Sequence, residues 1–477
     1  MSSLLPPTLV FRGQRWSAER LIAIAGLWLE VLGESFRTSS SPVGLVMEND
    51  PRSVALLFAL SCGRAPVVLL PIDLMPWRTS PPLPDGMRLV LSPSQRHLEA
   101  PAVSRGFRVT VLPAANAPMS APRELPFMTM PGLVMFTSGS TDRPRPVYRS
   151  TPALIRLARA LVTVVGLSPG RGVVAVLPLA RAFGLNHGLM AATVLGSPLA
   201  LLDRFDHHTL LRVFSSGKHD YWAGTPMMAD VLSRCALAAE PVAPRLCAIG
   251  GRLSAEVARR FKERFGVPLR QIYGTTETGS IAIDDAAPDA VRSETAGRLF
   301  PGVQARIGDD PRAPAPSGAT GRIWLSTPDY IMDGYGVPPD VEPLAGLDGW
   351  WGTADVGVLD GDGRLTLMGR LDDCFRTNAG HLVNPASISS ALEGYSSVID
   401  SAVVPLAAAG GPVIGVLVES GPGLSAIELR GHLARSLPHW SQPRVIETVD
   451  ALPRLSNGRI DRRACIAILE ASEQAIR

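Results

Sequence analysis

LVMFTSGSTDRPRP, residues 133 to 146, is the stretch on which the reading of this chain turns. Four apolar residues run as a strand into Thr137, Ser138, Gly139, Ser140 and Thr141, a loop of hydroxyls around one glycine, and a helix follows shortly after. A loop of this kind can turn several backbone N–H groups and hydroxyls toward one phosphate. Taken alone it reads equally well as a Ser/Thr-rich turn. It lacks the GxxxxGK[ST] pattern of the usual nucleotide loop.

Outward from that window, helices alternate with short apolar strands. The periodicity predicts a helix over 18–32, a strand over 43–47, a helix over 53–61 after the turn NDPR, and a strand over 66–73. RLVLS, RVTVLP, a helix over 152–165 and a strand over 173–178 continue the alternation, which is the pattern of a mainly parallel sheet with helices on its faces. No internal repeat is present. Two Pro/Gly-rich stretches, 76–86 and 113–131, read as surface connections. After Gly297 the texture changes to short strands with tight turns, and DGDG between alternating apolar residues reads as a hairpin. A final segment of mixed helix (385–392), strand (SAVVPL, VIGVLVE) and helix (425–436) follows. The expected fold is α/β: a large N-terminal domain over 1–371 and a small α+β C-terminal domain over 372–477.

The 477 residues are about three domains' worth at roughly 150 residues each. With 46% hydrophobic and 19% charged residues, neither a disordered chain nor a coiled-coil rod fits. The net charge of +3 and the lack of any Lys/Arg run longer than a pair argue against a nucleic-acid partner. Lys218 and Lys262 are the only lysines, so arginines stand almost everywhere a cation is used. Five scattered cysteines, with no metal-ligand or redox spacing, read as core residues of a reduced cytoplasmic protein. No signal peptide is evident. Residues 182–202 carry no formal charge over about the length a bilayer needs, yet their Gly, Asn, His and Pro content predicts a buried helix and strand instead of a membrane span.

Three further windows carry chemistry. In GVPLRQIYGTTETGSIA (266–282) a strand delivers Tyr273, Gly274, Thr275, Thr276 and Glu277 to its C-terminal end, where open α/β sheets bind ligands. A carboxylate there is the hard oxygen ligand that Mg²⁺ prefers, although a solvated turn would look the same. GWWGTADVGVLDGDGRLTLMGRLDD places Asp355 fifteen residues before Arg370, and LPRLSNGRIDRRA, near the C-terminus, carries Arg459.

In this order and spacing, TSGST, YGTTE, GRLDD and NGRIDR resemble the adenylate-forming superfamily of acyl- and aryl-CoA synthetases, luciferases and peptide-synthetase adenylation domains. The resemblance covers most of the chain. It implies an AMP-forming acid–thiol ligase, with ATP and Mg²⁺ as cofactors and the thiol of CoA, or of the phosphopantetheine of an acyl carrier protein, as acceptor. Carried over by position, it assigns Thr137, Ser138, Gly139, Ser140 and Thr141 to the ATP phosphates, Glu277 to Mg²⁺, Thr276 to the α-phosphate, and Asp355 and Arg370 to the ribose. Tyr273, Gly274 and Thr275, with Gly250, Gly251 and Arg252, flank adenine and substrate. Arg459 bridges the substrate carboxylate and the α-phosphate, Asp372 is the hinge of a rotating lid, and Gly380 gives the thiol access. The implied acid pocket contains Phe183, Asn186, His187, Trp222, Ala223, Gly224, Gly251 and the residues from Gly279 to Ala282.

Several positions depart from the family's pattern. Asp142, Arg145 and Pro146 stand where Gly, Lys and Gly are usual, Arg181 replaces a His, and Arg376 and Arg459 replace lysines. Arg keeps the charge but aims a larger planar fork. Catalysis is expected to survive; a nucleotide- and acyl-binding protein without chemistry is the alternative of another class. His187 and Trp222 are expected to frame a flat ring, with His187 equally readable as a hydrogen-bonded core histidine. The size of the chain is similar to that of free-standing hydroxybenzoate ligases of aryl-polyene pigment pathways, and a medium-chain fatty acid ligase is the second choice.

Overall fold

Asp50 and Pro51 show how the first half of the chain is laid down. The Asp50 carboxylate accepts from the Arg52 N–H at 2.7 Å, and Pro51 takes the first helical position, where a missing N–H costs nothing. The helix Pro51–Leu60 that follows is buried over every residue from Ser53 to Leu60, so it lies inside the protein and not on its surface. Ser17 starts the helix Ala18–Leu32 in the same way, and Gly33 ends it. In the computed structural model the described residues are 4–72, 83–114, 125, 127–137, 144–235, 242–251, 253–285, 295–327, 331–344, 346–377, 382–393, 395, 397–408, 411–421, 423–454 and 460–476. Most of the first Pro/Gly-rich connection and part of the second lie outside them.

The chain divides into two compact units, one of residues 1–304 and 325–351, the other of 305–324 and 352–477. The expected boundary at 371/372 falls inside the second. In the first unit, one sheet has six strands in parallel succession: Leu9–Phe11, Leu199–Leu201, Gly172–Ala175, His219–Gly224, Leu246–Gly250 and Leu269–Thr275. Gly279–Ile283 and Thr295–Leu299 extend it in antiparallel sense. The other sheet joins Arg108–Val111, Arg88–Leu91, Val43–Met47, Val67–Pro71 and Gly132–Phe136 in parallel, then Pro146–Ser150, Gly334–Val337 and Asp340–Pro343 antiparallel. The expected mixture of helices and mainly parallel sheets is therefore present.

One buried side chain ties these two sheets together. Asn49 follows the strand Val43–Met47; its amide donates to the carbonyls of Leu177 at 3.0 Å and Leu202 at 2.9 Å, and its oxygen accepts from the Leu179 N–H at 2.8 Å. Those three partners end two strands of the other sheet. An amide is the side chain that can satisfy two carbonyls and one N–H at once without carrying charge.

The uncharged segment after Arg181 is helical from Ala182 to Leu195, then strand from Leu199 to Leu201, in keeping with its composition. Its middle, Leu185–Met190, is wound as a π-helix, a feature that concentrates at functional sites. Among the described residues no helix is long and apolar enough to cross a membrane.

In the second unit the strands Gln304–Ile307, Thr320–Ser326, Trp351–Leu359 and Arg364–Arg370 lie side by side, the last two joined by the turn at Asp360. The strands Val398–Leu406, Val413–Ser420 and Val445–Val449 form a separate sheet packed by the helices Pro385–Glu393, Ala426–Ser436 and Arg462–Ile476. This is the small α+β body expected at the C-terminus.

Candidate active site

The phosphate-type loop begins where the strand Gly132–Phe136 ends. Its base is closed by a reciprocal pair: the Thr137 N–H donates to the Arg145 carbonyl, and the Arg145 N–H donates to the Thr137 hydroxyl, each at 3.0 Å. Ser138, Gly139, Ser140, Thr141 and Asp142 lie outside the described residues, as do Arg252, Gly380 and Arg459.

The YGTTE window forms a tight hairpin. Thr275 and Thr278 bond each other twice, N–H to hydroxyl, at 3.2 and 3.1 Å, and this leaves Thr276 and Glu277 at the tip. Gly274 is required by close approach, because a Cβ there would lie 2.2 Å from the Gly279 carbonyl oxygen. Gly279 itself has φ +69°, in the left-handed region.

Tyr335 and Arg145 connect the hairpin to the loop base. The Tyr335 hydroxyl, on the strand Gly334–Val337, donates to Glu277 Oε1 at 2.9 Å. The Arg145 guanidinium lies over the Tyr335 ring at 3.5 Å. Burial, with the Glu277 charge added, raises the Tyr335 pKa, so the phenol keeps its proton and remains a donor. From below, the fully buried Arg149 donates through Nη2 to the carbonyls of Thr276 at 3.0 Å and Glu277 at 2.8 Å. The Met332 N–H reaches the same Glu277 carbonyl at 2.8 Å. Thr137 and Glu277, 140 residues apart in sequence, thus belong to one hydrogen-bonded and cation–π constellation.

The expected acid-pocket residues divide. His187 is 1% exposed, its Nδ1 bonded to the Tyr221 hydroxyl and its Nε2 lying 2.7 Å from Ser280 Oγ. Phe183 packs on it with ring centres 4.3 Å apart. Burial pushes the imidazole pKa down to about 3, so it is neutral, one nitrogen donating and the other accepting. Asn186 is buried beside it.

Trp222 is not the partner expected for His187. Its neighbour Tyr221 takes that place. Alternation along the strand sends Trp222 the other way, edge-on to Phe214 and stacked on Phe261 at 6.2 Å in the core. Ala223 and Gly224 finish the same strand, and Gly224 lies against the Trp222 ring, where a Cβ would come within 2.2 Å. Gly250 ends the neighbouring strand against Phe183, and Gly251 follows with φ +113°. Tyr273 is buried in the strand leading to the hairpin.

Asp355 and Arg370 lie in the second unit. They face each other in register on adjacent antiparallel strands, with Arg370 Nη1 3.3 Å from Asp355 Oδ1. The Thr353 hydroxyl accepts from the Asp355 N–H at 3.0 Å and helps hold this largely buried carboxylate. Asp372 sits in the single turn Leu371–Asp373 directly after them.

Tyr335, Arg149, Tyr221 and Asn49 are not foreseen from the sequence, whereas Ser280 belongs to the expected run from Gly279 to Ala282. Tyr335 has a signal in the Gly-rich DGYG turn. Arg149 has one too, as a charge placed inside an apolar strand.

Among the described residues no cluster of three or more His, Cys, Asp or Glu side chains could hold a metal by itself. A single carboxylate, Glu277, linked through Tyr335 and Arg145 to Thr137, nevertheless fits Mg²⁺, which is commonly bound by one or two carboxylates together with substrate phosphates.

Comparison with known proteins agrees with this geometry. The profile of a family described as AMP-binding enzyme matches residues 36–336. The chain is 28% identical over 434 residues to a feruloyl-CoA synthase of Amycolatopsis sp, covering 86% of this chain and 85% of that protein. It is 28% identical over 476 residues to an indoleacetate–CoA ligase of Aromatoleum aromaticum, covering 92% and 90%. In fold it is similar to ATP-bound MatB from Rhodopseudomonas palustris, with a TM-score of 0.82 at 21% identity over 100% of this chain and 97% of that one.

Proposed function

The chain belongs to the AMP-binding enzyme family, and we propose that within it this protein is an ATP-dependent acid–thiol ligase acting on an aryl acid such as a hydroxybenzoate. The observation that carries the reading is the link Arg145–Tyr335–Glu277, which joins the base of a hydroxyl-rich loop to a carboxylate at a hairpin tip. Nucleotide triphosphate chemistry needs both: donors for the phosphate oxygens and a hard ligand for their cation.

In the first step, an oxygen of the substrate carboxylate attacks the α-phosphorus of ATP, and the bond to pyrophosphate breaks. Both reactants are anionic, so the protein's task is positioning and charge neutralisation. Thr137, Ser138, Gly139, Ser140 and Thr141 bind the phosphates, Thr276 contacts the α-phosphate, and Asp355 and Arg370 hold the ribose. Arg459 neutralises the carboxylate and the α-phosphate together. Glu277 would hold Mg²⁺, which supplies charge neutralisation on the phosphates when bound. In the second step a pantetheine thiol, of CoA or a carrier protein, attacks the acyl carbon and AMP departs. The domain of residues 372–477 acts as a lid turning about Asp372, and Gly380 leaves room for the pantetheine arm. The protein works in the cytoplasm.

The aryl reading draws support from two relatives whose names specify feruloyl and indoleacetate acyl groups, both ring-bearing. His187, buried with both ring nitrogens taken by Tyr221 and Ser280, matches the hydrogen-bonded core histidine and offers no free nitrogen to a substrate hydroxyl. The test is product analysis with 3-hydroxybenzoate and octanoate in parallel. AMP and pyrophosphate formed with the aryl acid support the proposal, preference for octanoate moves the substrate to fatty acids, and ADP as product removes the adenylation reading altogether.

A further inference from the structure

Arg149 stands apart from every residue used so far. It comes from the strand Pro146–Ser150, its side chain is wholly buried, and it is aimed at the underside of the Thr276–Glu277 tip. Burying a guanidinium costs several kcal/mol unless its surroundings repay it. Here the repayment is specific. Nη2 spans two consecutive carbonyls of one turn, and the charges of Glu277 and Asp333 lie close enough to oppose the downward pull of burial, which leaves a pKa of about 10. Asp333 is itself fixed, accepting from the Ser150 N–H at 2.6 Å and donating its own N–H to the Tyr148 carbonyl at 3.0 Å.

A turn at the end of a strand pair does not need such a partner, because water could serve its carbonyls. Glu277 is also restrained at its carboxylate by Tyr335 and at its backbone by Met332. With Arg149 it is fixed from three directions, which is more than packing alone explains. Both bonds leave the one nitrogen Nη2, which the rigid guanidinium plane aims at the turn; a lysine at 149 would carry the charge on a flexible stem without that fixed aim.

We propose that Arg149 is a positioning residue that sets the Glu277 carboxylate for the cation of the bound nucleotide by gripping the carbonyls of Thr276 and Glu277. This rests on the reading of Glu277 given above. It acts through the hairpin backbone and touches neither nucleotide nor acid.

The experiment is a calorimetric titration of ATP into the full-length wild type, Arg149→Lys and Arg149→Met, across a series of Mg²⁺ concentrations and in EDTA, with the melting temperature of each ligand-free protein recorded alongside. In the wild type, ATP binding should tighten with Mg²⁺. In both variants the Mg²⁺ concentration giving half of that effect should rise by about tenfold, the cost typical of losing a partner that orients a metal ligand, while binding in EDTA stays unchanged. Arg149→Lys covers the case in which Arg149→Met fails to fold. Variants that melt lower yet keep the wild-type Mg²⁺ dependence would make Arg149 merely structural and overturn the inference. Full restoration by Lys would overturn it as well, since charge and not the two-carbonyl grip would then be at work. A wild type whose ATP binding ignores Mg²⁺ would instead remove the role of Glu277, and this inference with it.

Discussion

Glu277→Gln and Asp355→Ala should both lower activity, for reasons that differ at the atom. The amide at 277 keeps a partner for the Tyr335 hydroxyl but loses the charge proposed to bind a cation, so added Mg²⁺ should restore part of the rate. Asp355→Ala removes the proposed ribose contact and leaves Arg370 without its in-register carboxylate; Mg²⁺ should not help it. Steady-state rates across a Mg²⁺ series separate the two, and equal rescue of both contradicts the roles assigned. His187 makes a prediction about pH. Its folded pKa, about 3, lies below the ordinary value, so the unfolded chain binds a proton there that the native protein does not. Stability from this site is therefore complete above about pH 6.5 and falls as pH drops toward the folded value, by at most roughly 5 kcal/mol. His187→Gln should melt lower than wild type at pH 7 but lose less stability on going to pH 5, as calorimetric melting would record. A parallel fall in the two proteins would mean that His187 is not the group concerned.

The hairpin from Leu269 to Ile283 is largely legible in the sequence, because a β-rich run, two glycines and a cluster of threonines mark a strand and its turn. Its support is not. Arg149 and Tyr335 come from 128 residues before Glu277 and 58 after it, and nothing in the local pattern of either announces a contact at that range. Trp222 illustrates the same limit in reverse. The strand over 219–224 carries two adjacent aromatics, and which of them turns toward His187 depends on register; the expectation falls on Trp222, whereas Tyr221 is the one that does. Thr278→Val should cost about 1–2 kcal/mol by removing the hydroxyl that accepts from the Thr275 N–H, visible as a lower urea midpoint, and should weaken nucleotide binding more than the loss of stability alone accounts for. An unchanged nucleotide affinity would detach the turn's geometry from the site.

Over the whole chain, the alternation of helix and strand and the change of texture near Gly297 identify the fold class, because burial on both faces of a parallel sheet imposes long-range pattern on sequence. The joints between sheets leave less trace. Asn49 holds three backbone partners that belong to another sheet, and Asn49→Ala should destabilise the protein by about 2–4 kcal/mol by stranding them; an unchanged melting temperature would show that the sheets do not depend on this joint. The two half-reactions give the account its largest-scale prediction. Arg459→Ala should depress adenylate formation by about 2.7–4 kcal/mol of transition-state stabilisation, by analogy with loss of an oxyanion donor, and largely spare thioester formation from supplied acyl-adenylate. Gly380→Leu should do the reverse by crowding the thiol's path. The measurement that tests the central claim most directly is exchange of radiolabelled pyrophosphate into ATP, with an aryl acid present and thiol absent. Label should enter ATP only when the acid is supplied, and Arg459→Ala should slow this entry. Exchange without acid, or turnover with no exchange, would contradict it.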